Sequence, residues 1–266
     1  MPEGHTLHRI AVDHSKILRG KHVTVTSPQG RFALDAALVS GSRLAEIEAY
    51  GKHLFYYWSN GLVGHVHLGL FGRFRVYQRK LAPEPWDAPT VRMRMRVPKA
   101  TIDLIGPTDC TIGTIDDRSR IVGRLGPDPL RPDADPDKAY AAIARRVAPI
   151  GQLLLDQKVI SGLGNVYRAE ALFINRINPR RPGNRIDRPE FDALWATIVE
   201  MLERGFAEDR IVTLDLDLFD VPAGITHRGA TTYVYHRDIC LYCASPIEIV
   251  ELGGRACYYC PVDQPN

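Results

Sequence analysis

The sequence predicts a multi-domain α+β protein, with an N-terminal antiparallel β-sandwich behind a leading helix, a helical domain and a C-terminal β-hairpin. Three observations predict it. Short β-type runs fill residues 22–122, apolar residues recur at helical spacing from residue 137 onward, and four cysteines fall within the last 27 of 266 residues. These patterns change from period 2 to period 3.6 and back, which indicates separate structural units.

The first element is a helix over residues 4–18, where apolar residues have helical spacing and Gly20 follows as a stop. The next hundred residues alternate in short runs broken by Gly, Pro and Asn, which is typical of a sandwich or barrel. Those runs are HVTVTS, RLAEIEAYGKHLFYYW, LVGHVHLGL, RFRVYQ and VRMRMRV.

Four prolines between Gly126 and Pro136 disfavour both helix and strand, so we interpret this segment as a linker. Helical periodicity then predicts helices over 137–147, 149–158, 165–175 and 188–205, and β-type alternation returns around the cysteines. The predicted domains are therefore 1–125, a linker over 126–136, a helical domain over 137–232 and a hairpin over 233–266.

Charge is unevenly distributed along the chain. Residues 1–100 hold 15 Lys and Arg against 7 Asp and Glu, a balance of +8, so the chain's total of +3 leaves −5 for the remainder. A basic half favours a polyanionic partner, and a solvated basic face is the alternative. The sequence shows neither a signal peptide nor an apolar run of about 18 residues, so we expect a cytoplasmic protein with no membrane partner.

Pro2 and Glu3 directly precede the first helix. If Met1 is removed, a secondary amine and a carboxyl group lie side by side, and a free α-amine with a pKa near 7.7–8 is partly unprotonated at neutral pH. Such an amine can attack a sugar C1′. The alternative is that Pro is simply common at helix starts and that Glu3 favours the helix dipole.

Three further motifs carry candidate binding residues. Lys52 follows a tight turn, and Leu70 and Phe71 lie in a glycine-bounded loop where they are either apolar wedges or core residues. Asn165 follows the glycine-rich turn Ser161–Gly164 at the start of a helix, where backbone N–H groups can bind phosphate. A helix C-cap is the alternative for that turn.

The C-terminal cysteines form two pairs, Cys240-x2-Cys243 and Cys257-x2-Cys260. Two such pairs in an intracellular chain indicate one structural Zn2+ on a β-hairpin. Cys110 stands alone and is expected to be a small buried apolar residue.

Five motifs, taken in their order along the chain, closely resemble the formamidopyrimidine-DNA glycosylase/endonuclease VIII family. They are MPEGHTLHR, GKHLF, HVHLGLFG, DQKVISGLGNVYRAE and the cysteine hairpin with Gly254-Arg255. The resemblance covers nearly the whole chain. It implies an N-terminal β-sandwich, a helix-two-turn-helix domain and a zinc finger, with damaged DNA bound between the two halves. It also implies a monomer, associated with the nucleoid in a bacterium.

Carried over by position, the resemblance implies Pro2 as the nucleophile, Glu3 as the acid that protonates the deoxyribose ring oxygen, and Lys52 as an assisting lysine. It places His67, Asn165 and Arg255 at phosphates, and Leu70 and Phe71 in the void that a flipped nucleotide leaves. The implied function is a bifunctional DNA glycosylase/AP lyase of base excision repair that acts through a Pro2 Schiff base and β/δ-elimination. A non-catalytic damaged-DNA-binding protein is the alternative.

Two features are more similar to the endonuclease VIII branch, namely the start PEG and the Leu70-Phe71 pair, and they imply a preference for oxidised pyrimidines. One feature departs from the family. The expected last ligand position holds Asp263, whereas Cys257 stands where the family places none. Since Cys257 and Cys260 point to opposite faces of an extended strand, the predicted ligands are Cys240, Cys243, Cys260 and Asp263, with Cys257 as the alternative fourth.

Overall fold

The computed structural model describes residues 2–78, 88–215, 218–219 and 231–266. By its internal contacts the chain divides into two units. The first holds Pro2, Glu3 and Leu7–Arg124, and the second holds Gly4–Thr6 and Leu125–Asn266. The first three residues of the leading helix therefore group with the second unit, although the rest of that helix belongs to the first.

The first unit contains two four-stranded antiparallel sheets among its described residues. In order across each sheet, the strands are Thr24–Thr26, Val91–Val97, Ala100–Ile105 and Arg73–Gln78 in one, and Leu44–Tyr50, His53–Trp58, Val63–His67 and Asp109–Gly113 in the other. Apolar side chains from both sheets and from the leading helix form one core, to which Leu7, Met95 and Leu54 belong. The predicted β-sandwich is thus confirmed. Its elements are α1 (Gly4–Leu18), β1 (Thr24–Thr26), α2 (Ala33–Val39), β2 (Leu44–Tyr50), β3 (His53–Trp58), β4 (Val63–His67), β5 (Arg73–Gln78), β6 (Val91–Val97), β7 (Ala100–Ile105), β8 (Asp109–Gly113) and α3 (Ile115–Val122).

Two helices interrupt the region for which only β-type runs were predicted. α2 has the composition ALDAALV, in which Ala and Leu favour helix, and it buries Ala36 and Val39 on one side. α3 begins with a capping box in which Thr114 and Asp117 exchange side-chain and backbone hydrogen bonds. Both helices are short, so their periodicity is hard to separate from that of the neighbouring strands.

In the described part of the second unit, the helices end at Glu208 and a two-stranded C-terminal hairpin begins at Glu248. Asp187 and Glu190 form a capping box at the start of its longest helix, and Pro189 lies within the first turn. Its elements are α4 (Pro136–Ala144), α5 (Ile150–Leu153), α6 (Asn165–Ile174), α7 (Arg188–Glu208), β9 (Glu248–Leu252) and β10 (Arg255–Tyr259).

The helix predicted over 149–158 was too long, since α5 ends at Leu153. The Asp156 side chain accepts the backbone N–H of Lys158 (3.0 Å), a local bond that competes with helical pairing. The segment that follows α5 forms the turns that lead to α6. Within the described ranges, no helix combines the length and the apolar character that a membrane crossing requires.

Candidate functional site

The start of α1 lies directly against the glycine-rich turn that precedes α6. The Gly4 N–H donates to the carbonyl oxygen of Gly162 (2.8 Å). A Cβ at residue 4 would lie 3.0 Å from the Gly162 Cα, and Gly162 itself has a φ of +88°, so neither position accepts a side chain without a shift. In the chain, Gly4 directly follows Pro2, which is half-buried, and Glu3, which is fully buried.

The side-chain amide of Gln157 holds the same turn together. Its Nε2 donates to the carbonyl oxygens of Leu155 (3.1 Å) and Leu163 (2.9 Å), while its Oε1 accepts the Gly162 N–H (3.0 Å). Gln157 lies within the motif DQKVISGLGNVYRAE, but the sequence predicts no role for its side chain. A lone amide gives no sequence signal for three backbone contacts.

Asn165 is the first residue of α6 and is buried. The N-cap residue, Gly164, supplies no side-chain bond, and the first turn contains no acidic residue. The Asn165 Nδ2 donates to the carbonyl oxygen of Ala256 on β10 (2.9 Å). A helix start without a competing carboxylate can bind an anion through its N–H groups.

Arg255 is exposed at the first position of β10, after a turn in which Gly253 and Gly254 have φ of +63° and +71°. Its backbone carbonyl and that of Ala256 accept from the buried guanidinium of Arg168 on α6. The structure therefore brings Asn165 and Arg255 together through α6 and β10. Arg168 was not singled out in the sequence, although its i,i+3 spacing from Asn165 puts the two on one helix face.

Lys52 and His67 come together in the first unit. Lys52 follows Gly51, whose φ of +56° makes the tight turn between β2 and β3. His67 ends β4 and pairs in register with His53. Burial lowers the pKa of His67, and the positive charge of Lys52 lowers it further, whereas Asp109 opposes the shift. The two predicted contacts thus combine a cation with a neutral imidazole.

The same unit contains a row of polar side chains, His53, His65 and Asp109, that no sequence pattern predicted. His53 Nδ1 lies 2.9 Å from His65 Nε2, and His65 Nδ1 lies 3.5 Å from Asp109 Oδ2. Burial and the neighbouring His65, His67 and Lys52 lower the pKa of His53 to about 3. The strand register creates this row, and register cannot be read from sequence spacing.

Leu70 and Phe71 are both exposed, to 49% and 82%, in the loop between β4 and β5. The loop is closed by a hydrogen bond from the Gly72 N–H to the carbonyl oxygen of Leu68 (3.0 Å). A Cβ at residue 72 would lie 2.2 Å from that oxygen, so only glycine fits. Two large apolar side chains held outward by a pinched loop are available to enter a base stack.

Four candidate metal ligands converge at the hairpin. One donor atom from each of Cys240, Cys243, Cys260 and Asp263 lies within 4.8 Å of all the others. Cys240 Sγ is 3.0 Å from Asp263 Oδ2, and Cys243 Sγ is 3.4 Å from Cys260 Sγ. Backbone N–H groups donate to the sulfurs of Cys240 and Cys260, as they do to thiolates. Three thiolates and one carboxylate at these distances fit a tetrahedral Zn2+ site.

Cys257 is not a member of that group. It is 1% exposed in the apolar cluster of the hairpin, beside Phe173 and Tyr259. Burial raises the pKa of its thiol, and the nearby Arg168 only partly offsets this shift. Cys110 is buried in the core of the first unit, in keeping with its expected apolar role.

Comparison with protein families matches two parts of the chain. Residues 1–107 match the formamidopyrimidine-DNA glycosylase N-terminal domain, and residues 125–215 match the formamidopyrimidine-DNA glycosylase H2TH domain. The chain is 46% identical over 272 residues to Endonuclease 8 1 of Mycobacterium tuberculosis, covering 99% of this chain and 100% of the relative. It is 30% identical over 276 residues to a formamidopyrimidine-DNA glycosylase of a Nocardioides species, covering 98% and 88%.

Solved structures share the fold. The Lactococcus lactis Fpg in complex with abasic-site DNA superposes with a TM-score of 0.81 at 19% identity, covering 99% of this chain and 100% of that one. The same enzyme bound to DNA containing an N7-benzyl-Fapy-dG gives a TM-score of 0.80 at 19% identity over the whole of both chains.

Proposed function

Because the chain belongs to the formamidopyrimidine-DNA glycosylase/endonuclease VIII family, we propose that it is a bifunctional DNA glycosylase and AP lyase of base excision repair, with the amine of Pro2 as its nucleophile. The observation that carries the assignment of the nucleophile is the bond from Gly4 to Gly162. It fixes Gly4, two residues after Pro2 in the chain, against the turn that precedes α6, where a phosphate can bind.

The chemistry follows from a secondary amine at the N-terminus once Met1, which lies outside the described residues, has been removed. The unprotonated amine attacks C1′ as the N-glycosyl bond breaks and the base departs. Loss of the amine proton and opening of the sugar ring leave an iminium. That iminium acidifies the C2′ proton, whose removal expels the 3′ phosphate, and a second elimination expels the 5′ phosphate.

Two side chains assist this sequence. Glu3, a fully buried carboxyl group that directly follows Pro2, is assigned as the acid that donates a proton to the sugar ring oxygen. Lys52 supplies a positive charge at the edge of the first unit for the phosphate near the reacting sugar.

Five further residues are proposed to hold damaged DNA. His67, Asn165 and Arg255 donate to phosphates, and each lies at the end or start of an ordered element. Leu70 fills the void left by the flipped nucleotide together with Phe71, and the exposure of both side chains supports this role. The basic first hundred residues add a general attraction for DNA.

Oxidised pyrimidines are proposed as the preferred lesions. The relative with 46% identity carries the name Endonuclease 8 1, and the Leu70-Phe71 pair supports the proposal because it is more similar to the endonuclease VIII branch. A single-turnover comparison of dihydrouracil with 8-oxoguanine opposite cytosine tests the preference. Faster excision of 8-oxoguanine would contradict it.

One structural Zn2+ is proposed at Cys240, Cys243, Cys260 and Asp263, where it would supply the cross-links that hold the hairpin. We further propose that residues 1–125 form the catalytic domain, 137–232 the DNA-binding helical domain and 233–266 the zinc finger, joined by a linker at 126–136. The two units defined by internal contacts meet in the chain between Arg124 and Leu125, which supports the first of these divisions.

Borohydride trapping on DNA with an abasic site or dihydrouracil tests the nucleophile. The reductant converts the iminium to a stable amine, so mass spectrometry of the wild type should place the adduct on residue 2. Pro2→Gly keeps an amine but changes its class, so we expect slower trapping. Glu3→Gln should lose excision of dihydrouracil and retain trapping at a preformed abasic site. Absence of an adduct, with Met1 removed and DNA still bound, would make the protein a damage-binding protein instead.

A further inference from the structure

The largest fully buried side chain of the described residues is a cation. Arg168, on α6, is 0% exposed. A buried guanidinium is costly unless strong acceptors surround it, and here the acceptors are backbone carbonyl oxygens from the elements that neighbour α6. The side chain therefore stabilises one arrangement of those elements.

The guanidinium binds both sides of the turn that carries Arg255. Nη1 donates to the carbonyl oxygens of Gly151 on α5 (2.9 Å) and of Leu252 at the end of β9 (3.0 Å). Nη2 lies within reach of the carbonyl oxygens of Arg255 (3.4 Å) and Ala256 (3.3 Å) on β10. Leu252 and Arg255 are paired in register, so the guanidinium lies at the base of the turn.

The same guanidinium also selects the orientation of the Asn165 amide. Nη2 donates to Asn165 Oδ1, and Asn165 Nδ2 donates to the carbonyl oxygen of Ala256. A guanidinium has only donors, so it can face only the oxygen of that amide, and the N–H groups must point away from it. A phosphate accepts hydrogen bonds, so this is the orientation that can bind one.

We propose that Arg168 is a positioning residue for DNA binding, which fixes the hairpin turn beneath Arg255 and orients the Asn165 amide so that the N–H not bonded to Ala256 can donate to a phosphate. The inference rests on the proposed function, because it assumes that Asn165 and Arg255 contact phosphates. Arg168 itself does not touch DNA.

The test measures equilibrium binding to duplex DNA that contains a tetrahydrofuran abasic analogue. Arg168→Lys keeps the positive charge, but one ammonium cannot reproduce contacts made by two separate nitrogens. We expect its Kd to rise about tenfold and its salt dependence to fall by about one released counterion, as for Arg255→Ala. In an Asn165→Ala/Arg255→Ala background, the added Arg168→Lys should raise Kd less than twofold, because its effect passes through those two residues.

A merely structural role predicts a different result. If Arg168→Lys costs the same tenfold in the double-variant background, or if it loses the zinc along with DNA binding, the inference is overturned. Unchanged Kd and salt dependence in Arg168→Lys would also overturn it. If instead Asn165→Ala/Arg255→Ala binds like the wild type, the proposed phosphate contacts are wrong, which is a separate failure.

A measurement on the wild-type protein covers the case of a variant that does not fold. In NMR spectra of the full chain with zinc, the Asn165 side-chain amide should give two separate proton signals that exchange slowly with solvent. Arg168 should give slowly exchanging guanidinium signals, because it is held by several acceptors. Rapid exchange at both groups would show that the amide is not held, and would contradict the proposal.

Discussion

His14 is a buried imidazole in the middle of α1 that the proposed reaction does not use. It is 2% exposed, and its Nδ1 lies 2.8 Å from the hydroxyl oxygen of Tyr56 on β3. Burial lowers its pKa to about 4, and the neighbouring Asp13 only partly opposes this. The folded protein therefore keeps His14 neutral at a pH where the unfolded chain protonates it.

This difference predicts that acid destabilises the protein well above the range of its carboxyl groups. The contribution of His14 is complete above pH 6.5 and is lost as the pH falls toward 4, at up to about 1.4 kcal/mol per pH unit. His14→Gln keeps a hydrogen-bonding side chain without titration. Urea unfolding at pH 7.5, 6 and 5 should show a shallower pH dependence for the variant by about one proton. Equal slopes would contradict a neutral His14.

The loop between β4 and β5 illustrates how backbone sterics set the position of two side chains. In Gly72→Ala the new Cβ would collide with the Leu68 carbonyl oxygen at 2.2 Å, so the loop must open. We expect Leu70 and Phe71 to lose their fixed position and excision from duplex DNA to fall about tenfold or more. Fluorescence of 2-aminopurine opposite the lesion reports their insertion.

Gly61→Ala, in the turn between β3 and β4, is the matched control. Gly61 has a φ of +84°, so alanine is strained there, but its Cβ would meet no atom within 4 Å. Its cost should be about 1 kcal/mol of stability with excision retained. If both variants lose excision equally, general destabilisation rather than loop position explains the loss.

At the hairpin, the two candidates for the fourth zinc ligand should differ in how much their loss lowers zinc affinity. Asp263→Ala removes a donor atom that converges with the three sulfurs, so its zinc affinity should fall at least tenfold. Cys257→Ala removes a buried sulfur that faces the apolar cluster, so it should cost about 1 kcal/mol of stability and keep one zinc. Competition with a chromophoric chelator measures both affinities. The opposite ranking would identify Cys257 as the fourth ligand.

Across the whole molecule, the features that the sequence predicted are those with a local cause. The helix over residues 4–18 was predicted at both ends because its apolar spacing and Gly20 are local signals. α6 and the glycine turn before it were predicted for the same reason. The helix over 149–158 was overextended, because the bond from Lys158 to the Asp156 side chain is invisible to periodicity.

The residues of the candidate site also fall into those that the sequence predicted and those that it did not. Motifs in family order indicated every residue that touches DNA or metal in the proposal. The residues behind them were not found, because their contacts depend on strand register and on distant segments. His53 meets His65 only through the pairing of β3 with β4, and Arg168 reaches carbonyl oxygens more than 80 residues away in sequence. Supporting residues of this kind need the folded chain.

The four polar residues proposed to contact DNA differ in charge, so their loss should change the salt dependence of DNA binding to different extents. Lys52 and Arg255 are cations, so Lys52→Gln and Arg255→Ala should each reduce the slope of log Kd against log salt concentration by about one. Asn165 is uncharged, and the pKa of His67 is lowered by burial and by Lys52, so His67 is neutral at pH 7.5. His67→Gln and Asn165→Ala should therefore weaken binding without changing the slope. Titrations with abasic-analogue DNA between about 50 and 200 mM salt give all four slopes. A reduced slope for His67→Gln would show that the bound phosphate raises the pKa of His67 so far that the imidazole takes up a proton from solvent, which would make it a third cationic contact.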